Sequence, residues 1–251
     1  MLERIAHGNV LEIRLARPPV NALNPELLAA LATAFAPAQL HGVEGVVLSG
    51  GPKVFSGGLD VPHLLGLDRA GLTAAWSGFF ATARAIAHCP VPVVAAIGGH
   101  SPAGGCVLAL CCDYRVMARG AYRIGLNETQ VGLVVPDAIQ VLMRRVVGTH
   151  RAERLMVAGA MIESEQALAI GLVDELTDAD HVATRGLHWL GELAALPREP
   201  MLTTRKIARA DLHAALDGFT DDELDGFVDR WFAKATQDAL QALVAKLKKP
   251  G

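Results

Sequence analysis

The sequence predicts an α/β fold followed by a helical C-terminal region. Two short apolar runs that end in glycines, at residues 45–50 and 90–99, are typical of buried strands. Helix-like stretches lie between and after these runs, and a strand–helix–strand order favours parallel pairing with right-handed crossovers. From residue 149 the pattern is helical nearly to the end. We therefore expect an α/β core over residues 1–195 and a helical region over residues 196–251.

The first elements are a strand and a capped helix. "VLEIRLA" (residues 10–16) alternates apolar and polar residues, as a half-buried strand does. "NALNPELLAALATAF" then predicts a helix with Asn24 as its N-cap and Pro25 in the first helical position. The buried strands "GVVLSG" (45–50) and "PVPVVAAIGG" (90–99) follow, and the helix-like "GGCVLALCCD" comes directly after the second.

The second half of the chain is predicted to be helical. The helix-like segments after residue 149 are "THRAERLMVAG", "SEQALAIG", "DHVATRGLHWLGELAAL" and "LTTRKIARADLHAAL". The residues from Asp221 to Lys249 carry no strand signal. Within them, "FVDRWFAKATQDALQALVAKL" is amphipathic, which suits packing on a neighbouring subunit and packing on the chain's own core equally well.

The composition excludes several classes of protein. Of the 251 residues, 51% are hydrophobic and 20% are charged, as in an ordinary globular protein. A net charge of −3 gives no electrostatic reason to expect nucleic acid or an anionic membrane as a partner. No apolar run reaches the roughly 18 residues of a membrane span. Because "MLERIAHGNV" lacks the apolar core of a signal peptide, we expect a cytoplasmic protein.

The cysteines indicate buried, reduced thiols. Their positions show no spaced pairs of the kind that bind metals or form redox motifs, and two of them are adjacent. This pattern suits a cytosolic protein, and we predict no metal site. The four are Cys89, Cys106, Cys111 and Cys112.

Two glycine-rich turns connect a strand end to a predicted helix start. They are "KVFSGGLD" (53–60) and "HSPAGGCVLAL" (100–110). Backbone N–H groups point outward at such positions, and glycine lets a ligand approach them closely. Two converging amides would form an oxyanion hole, although ordinary tight turns have the same sequence pattern. Neither turn matches a GxGxxG or GxxxxGK[ST] phosphate-binding motif.

One carboxylate lies in an apolar segment, "YRIGLNETQVGL" (122–133). Glu128 is surrounded in sequence by Ile124, Leu126, Val131 and Leu133. A carboxylate buried among such residues costs several kcal/mol to desolvate unless it is paired, and its pKa rises. Glu128 is therefore either a surface residue on a turn or a base held in a dry pocket.

Four segments together resemble a known family. "VFSGGLD", "SPAGGCVLALCCDYRVMA", "YRIGLNETQVGL" and "EQALAIGLVDEL" are similar to the crotonase (enoyl-CoA hydratase/isomerase) superfamily. The resemblance runs almost end to end, in the family's order and spacing, and is strongest to the Δ3,Δ2-enoyl-CoA isomerases of fatty-acid β-oxidation. It implies a spiral of ββα units with a C-terminal helical region. It also implies an acyl-CoA thioester as substrate, no cofactor, and a homotrimer or dimer of trimers with the helices of residues 196–251 in the contacts.

The resemblance also implies catalytic roles. The backbone N–H groups of Leu59 and Gly104 would hold the thioester oxygen and stabilise an enolate. Hydratases of this family carry two catalytic glutamates, of which the second corresponds to Glu128. The first corresponds to position 107, where this sequence has Val107.

This difference favours an isomerase. Hydration needs a group that positions and deprotonates water, and in this family two carboxylates share that task. Moving a double bond from C3 to C2 needs one base, provided that water stays away. Val107 removes the second carboxylate and would dry the site. A hydratase or another crotonase-type lyase remains an alternative, and so does a non-catalytic acyl-CoA-binding scaffold.

Four further polar residues have alternative interpretations. Asp137, just after Pro136, is either a second acid in the pocket or a helix-terminal residue that complements the helix dipole. His63 and His100 flank the two turns and are interpreted as rim or turn residues, with His100 nearer the substrate. Asp60 is either a catalytic acid or a local helix cap.

The remaining binding contacts follow from the resemblance. The backbone of Val20, Asn21 and Ala22 would meet the CoA moiety, with Arg17 near a phosphate. The apolar residues from Leu64 and Leu65 to Trp76, Phe79 and Phe80 either line the acyl pocket or form the core face of a helix. The two turns would add contacts from Ser56, Gly57, Gly58, Asp60, His100, Ala103, Gly105 and Val107.

Overall fold

Strands in the computed structural model, which describes residues 1–247, form two sheets. The strands in chain order are β1 (Leu2–His7), β2 (Val10–Leu15), β3 (Gly45–Ser49), β4 (Lys53–Val54), β5 (Val93–Ile97), β6 (Gly99–Pro102), β7 (Tyr114–Ala118), β8 (Arg123–Gly125), β9 (Ile162–Glu163) and β10 (Glu175–Thr177).

The larger sheet has six strands in the order β1-β2-β3-β5-β7-β10. β1 and β2 pair antiparallel, and all other neighbours in this sheet pair parallel. The smaller sheet has the order β4-β6-β8-β9, with one antiparallel pair between β8 and β9. The predicted parallel pairing is thus confirmed for the centre of the larger sheet.

The helices surround these sheets. None of those in the described range is long and apolar enough to cross a membrane. They are α1 (Pro25–Ala34), α2 (Val61–Leu64), α3 (Arg69–Ala87), α4 (Gly104–Leu110), α5 (Asp137–Val147), α6 (Thr149–Ala158), α7 (Ser164–Ala169), α8 (Val182–Ala194), α9 (Arg198–Ala208), α10 (Ala210–Asp217), α11 (Asp221–Trp231) and α12 (Lys234–Leu247). Short 3₁₀ helices lie at Pro37–Leu40, Glu128–Val131 and Ala179–His181.

The predicted first elements are confirmed. Asn24 caps α1, because its Oδ1 accepts a hydrogen bond from Leu27 N at 3.0 Å, and Pro25 is the first residue of the helix. β3 and β5 are buried along their whole length, as their apolar composition predicts. α4 begins at Gly104, within the second glycine-rich segment.

The strand β2 is more deeply buried than its alternating pattern predicts. Glu12, a polar position of the pattern, is only 2% exposed. Its carboxylate accepts a hydrogen bond from Ser49 Oγ at 2.7 Å and lies 2.9 Å from His7 Nε2 and 3.0 Å from Arg14 Nη2. These partners allow the burial, and they lower the pKa of Glu12 against the desolvation that raises it.

Several short strands are missing from the sequence prediction. β1 is a largely exposed edge strand, so its residues lack a buried apolar face. The stretch after residue 149, predicted as helical, contains β9 and β10, which have two and three residues. Strands this short give no periodic signal. Both strands fall between the quoted helix-like segments, and the prediction that the pattern is helical from residue 149 nearly to the end is wrong in these places.

The C-terminal helices pack on the core of the same chain. Leu212 and Leu216 of α10, and Phe227 and Trp231 of α11, belong to the main hydrophobic cluster that also includes β2, β3 and α3. The division into a core of residues 1–195 and an oligomerisation region of residues 196–251 stays a prediction, and residues 248–251 lie outside the described range.

A buried ionic cluster adds to this packing. Asp113 accepts hydrogen bonds from Arg205 Nε and Nη2, both at 2.8 Å, and from Arg209 Nη1 at 2.9 Å. The three side chains are 7–13% exposed. α9 and the start of α10 are thereby fixed to the loop between α4 and β7.

Candidate active site

The two glycine-rich turns lie against each other. Gly58 has a φ of +81°, and a Cβ placed on it would lie 3.3 Å from Gly104 N and 3.2 Å from Pro102 O. Only glycine therefore suits this position, for both its backbone conformation and the space available. The bridge between Leu23 and Leu59 fixes the first turn next to the start of α1. The two turns, far apart in sequence, are thus adjacent in the structure.

The backbone amides of Leu59 and Gly104 have no acceptor within residues 1–247. The neighbouring amides do: Gly58 N donates to Ser56 Oγ at 3.2 Å, and Asp60 N donates to Leu23 O at 3.1 Å. Gly104 is the first residue of α4, where amides lack intrahelical partners. Neither amide is therefore used by an acceptor in the described part of the chain; Leu59 lines the cavity described below, and Gly104 does not.

Asn21 and Ser56 shape the first turn. Asn21 has a φ of +50° and is 5% exposed, and its Nδ2 donates to Phe55 O at 3.1 Å. Ser56 Oγ donates to Asn21 O at 2.8 Å. Both side chains are used within the protein, and neither lines the adjacent cavity. Both side chains hold the turn, and the ligand contacts predicted for the Asn21 backbone and for Ser56 stay predictions.

A cavity of about 660 Å³ opens beside the turns. Nine of the residues predicted for the site line it. The sequence left open whether the apolar residues from Leu64 to Phe80 line a pocket or form core. Trp76 belongs to the core and also lines the cavity, whereas Leu64, Phe79 and Phe80 belong to the core alone. The nine predicted site residues that line the cavity are Arg17, Val20, Ala22, Gly57, Leu59, Asp60, His100, Ala103 and Glu128.

Glu128 is buried in the wall of this cavity. It begins the 3₁₀ turn Glu128–Val131 and is 7% exposed. Its Oε2 has no hydrogen-bond partner in the described part of the chain. Desolvation raises the pKa of Glu128 to about 7, against a smaller lowering by its own backbone amide. Of the two alternatives for Glu128, the buried carboxylate is therefore correct.

The charge on Glu128 acts on its surroundings. Burial raises the pKa of the Cys106 thiol, and the nearby Glu128 carboxylate raises it further. Burial also raises the pKa of Cys89 to about 11 and that of Cys111 to about 12. These thiols stay protonated near neutral pH, and all four cysteines are free and buried, as predicted.

Arg17 and Asp60 form an ion pair at the cavity. Arg17 Nη2 lies 2.6 Å from Asp60 Oδ2, and Arg17 Nη1 donates to Ala22 O at 2.9 Å. Asp60 Oδ1 also accepts from His63 N at 3.2 Å and so caps α2. The local-cap interpretation of Asp60 is correct. Arg17 holds the segment around Ala22, and its charge is largely neutralised.

The two histidines differ in their positions. His100 lines the cavity, and its Nδ1 accepts a hydrogen bond from Arg123 N at 3.1 Å, which leaves Nε2 to carry the proton of the neutral ring. His63 is exposed and lies outside the cavity lining. His100 is thus the nearer of the two to the site.

Seven predicted residues do not line the cavity: Asn21 and Ser56, described above, and Gly58, Gly104, Gly105, Val107 and Asp137. Gly58 and Gly105 are buried, and a Cβ on Gly105 would lie 2.7 Å from Ser56 O, so both allow close contact between segments. Val107 is completely buried in α4 within the hydrophobic core. The side chain of Asp137, the candidate second acid, is 69% exposed at the first residue of α5 and lies 3.7 Å from Arg144. The helix-terminal interpretation of Asp137 fits this position.

Sequence reasoning missed several cavity residues. Asn127 and Leu133 flank the Glu128 turn, Pro102 precedes Ala103, and Leu243 comes from α12. Asn127 and Leu133 lie within the segment that contains Glu128, so their position could have been inferred. Nothing in the sequence near Leu243 indicates that it reaches a site formed by residues 17–133.

This fold and these segments identify the family. The model of the enoyl-CoA hydratase/isomerase family matches residues 6–250, and the chain belongs to that family. The human mitochondrial enoyl-CoA delta isomerase 1 is 30% identical over 251 residues, which cover 99% of this chain and 83% of that protein. The crystal structure of human mitochondrial Δ3-Δ2-enoyl-CoA isomerase superposes with a TM-score of 0.93 at 29% identity, covering 98% of both chains.

The chain is also similar to proteins that are named as hydratases. A protein of Mycobacterium avium, named as a probable enoyl-CoA hydratase, is 32% identical over 192 residues, which are 76% of this chain and 74% of that protein. The predicted crotonase fold and family are therefore confirmed.

Proposed function

We propose that this protein is an enoyl-CoA isomerase that moves a double bond from C3 to C2 of a fatty acyl-CoA. The observation that carries the proposal is the buried carboxylate of Glu128, whose Oε2 lacks a partner among the described residues of a cavity otherwise rich in apolar side chains. A relative named as an enoyl-CoA delta isomerase, which matches 99% of this chain, supports it.

Glu128 acts as the proton shuttle. Its carboxylate takes a proton from C2, the electron pair of the C–H bond moves to the thioester oxygen, and a dienolate forms. The protonated Glu128 then returns the proton at C4, which leaves the double bond between C2 and C3. A base with a pKa of about 7 can accept and release a proton at neutral pH.

The amides of Leu59 and Gly104 hold the thioester oxygen. Negative charge develops on this oxygen during proton removal, and two fixed N–H donors stabilise that charge in an oxyanion hole. A single such donor contributes on the order of 10²–10³ in rate. Both amides lack another acceptor among the described residues, which supports this assignment.

Hydration is the alternative activity. It needs a group that positions and deprotonates water at C3. Two carboxylates line the cavity in the described chain, and Asp60 is engaged by Arg17 and by the cap of α2. Glu128 is left as the one carboxylate free to move a proton, and isomerisation needs no more than that.

The assembly and location are further proposals. We propose a homotrimer or dimer of trimers, in line with the family, that acts in fatty-acid β-oxidation. The reaction is redox-neutral and needs no cofactor besides the acyl-CoA substrate. The four free, buried thiols favour a reducing compartment, for which we propose the cytoplasm.

The test is a Glu128→Gln variant, which keeps the shape of the side chain and removes the base. We expect isomerisation of a 3-enoyl-CoA to fall by at least about 10³-fold while acyl-CoA binding persists, because proton transfer is lost entirely. Glu153→Gln, an exposed position on α6, is the matched control and should retain wild-type turnover. Near-normal turnover in a folded Glu128→Gln variant would contradict the assignment.

A further inference from the structure

The C-terminal helix α12 contacts the turn that carries Glu128. Thr236 Oγ1 donates a hydrogen bond to Gly132 O at 3.0 Å, and Thr236 is 7% exposed. Gly132 has a φ of +76°, and a Cβ placed on it would lie 3.0 Å from Ala239 Cβ. Glycine is therefore required at position 132 for its backbone conformation and for the close approach of α12.

Gly132 closes the Glu128 turn. Leu133 N donates to Glu128 O at 2.9 Å, and Gly132 N donates to Thr129 O at 3.3 Å. On the opposite side, Thr129 Oγ1 donates to Met156 O of α6 at 3.3 Å. The turn is thus held between α6 and α12, and a shift of α12 would move the backbone next to the Glu128 carboxylate.

The same helix also forms part of the cavity wall. Leu243 lines the cavity that contains Glu128. Residues 236, 239 or 240, and 243 follow a spacing of three to four, so they lie on one face of α12. Leu240 on this face is fully buried. One face of α12 therefore contacts the Glu128 turn and contributes Leu243 to the cavity wall.

We propose that α12 is a working part of the active site: Thr236 is a positioning residue for Glu128, and Leu243 keeps water out of the cavity beside it. The proposal rests on the isomerase function proposed above. It gives α12 two effects on the reaction, namely a fixed position for the base and a dry environment that favours return of the proton at C4 over addition of water.

The titratable groups around Glu128 do not provide the dry environment that we assign to α12. Cys106 of α4 is fully buried and neutral near pH 7, and the cavity otherwise contains the Arg17–Asp60 ion pair and His100. The titratable residues on α12 with described side chains are all exposed: Lys234, Asp238 and Lys246. Those on α6 are also exposed: His150, Arg151, Glu153 and Arg154.

The experiment combines four variants with two assays. Leu243→Asn introduces a polar group into the wall, and Ala242→Asn places the same group at an exposed neighbouring position as a control. Thr236→Val removes the hydroxyl at constant shape, and Thr236→Ser retains it. The pH dependence of kcat/KM is measured with a 3-enoyl-CoA, and 3-hydroxyacyl-CoA formed from a 2-enoyl-CoA is quantified by mass spectrometry.

For Leu243→Asn we expect the apparent pKa on the acidic side of the kcat/KM profile to fall by about one unit or more, because water near Glu128 favours its charged carboxylate. Hydrated product should also increase at least several-fold, with Ala242→Asn unchanged. Thr236→Val should lower kcat about tenfold with KM within about twofold, and Thr236→Ser should restore it. Circular dichroism and thermal unfolding verify that each variant is folded.

The role of α12 would be overturned if folded Leu243→Asn kept the wild-type pH profile and product ratio and folded Thr236→Val kept the wild-type kcat. This failure differs from failure of the proposed function, in which the wild-type protein itself would not isomerise a 3-enoyl-CoA or Glu128→Gln would remain active.

Discussion

Replacing Glu128 by glutamine should change how the stability of the protein depends on pH. The pKa of Glu128 is about 7 in the folded protein, against an ordinary value of 4.5 that applies in the unfolded chain. The folded state therefore binds this proton more tightly. The resulting stabilisation is fully present below the unfolded pKa and is lost as the pH rises through the folded pKa. Glutamine, which does not titrate, has no such dependence.

The magnitude follows from the two pKa values. At about 1.4 kcal/mol per pH unit, the Glu128 contribution to the free energy of unfolding should fall by about 2–3 kcal/mol between pH 5 and pH 8. The difference in stability between Glu128→Gln and wild type should therefore shift by that amount in favour of the variant. Other groups titrate alike in both proteins and cancel in this difference.

Urea denaturation of both proteins at pH 5, 6, 7 and 8 measures this difference directly. Glu153→Gln serves as the control, because that glutamate is exposed. A difference between Glu128→Gln and wild type that stays constant from pH 5 to pH 8 would refute the reasoning, since it would mean that the Glu128 carboxylate is not desolvated in the folded protein.

Three further predictions concern the site and the core. Gly58→Ala should lower kcat/KM at least about 10²-fold in steady-state assays, because its methyl group would lie 3.3 Å from Gly104 N; unchanged kinetics would contradict the pairing of the two turns. Asp113→Ala should lower the free energy of unfolding by about 3–5 kcal/mol in urea, because it leaves Arg209 buried and unpaired; a loss below about 1 kcal/mol would contradict this. In wild type, kcat/KM should rise about tenfold per pH unit below pH 7 and then level off, as Glu128 must be ionised to act; a flat profile from pH 5 to pH 9 would contradict this.

The local features of the fold could be predicted where one segment contains the whole signal. Asn24 and Pro25 define the start of α1 through residue types that act within one turn. β3 and β5 are short apolar runs whose burial follows from their composition. Glu128 is similar, because two of its apolar neighbours in sequence, Val131 and Leu133, line the same cavity.

Features that depend on distant segments could not be predicted. β1 is an exposed edge strand whose pairing with β2 leaves no buried apolar pattern. Leu243 reaches the cavity only because α11 and α12 return across the core. Neither signal is present in a local stretch of sequence.

The residue roles inferred from the resemblance depend on side-chain contacts and burial, which the sequence does not show. Arg17 was expected near a phosphate, yet its guanidinium is paired with Asp60 at 2.6 Å. The resemblance implies that Val107 corresponds to a glutamate of the hydratases, and its side chain packs in the core and not on the cavity wall. The absence of a carboxylate there still agrees with the proposed isomerase, for which one base is enough.

The central claim is that one buried carboxylate moves a double bond without adding water, and a paired substrate assay tests it most directly. Purified protein receives a 3-enoyl-CoA in one sample and a 2-enoyl-CoA in the other, with products identified by chromatography and mass spectrometry. We predict rapid conversion of the 3-enoyl to the 2-enoyl isomer in the first sample and little 3-hydroxyacyl-CoA in the second. Predominant formation of 3-hydroxyacyl-CoA, or no turnover of either substrate, would contradict the account.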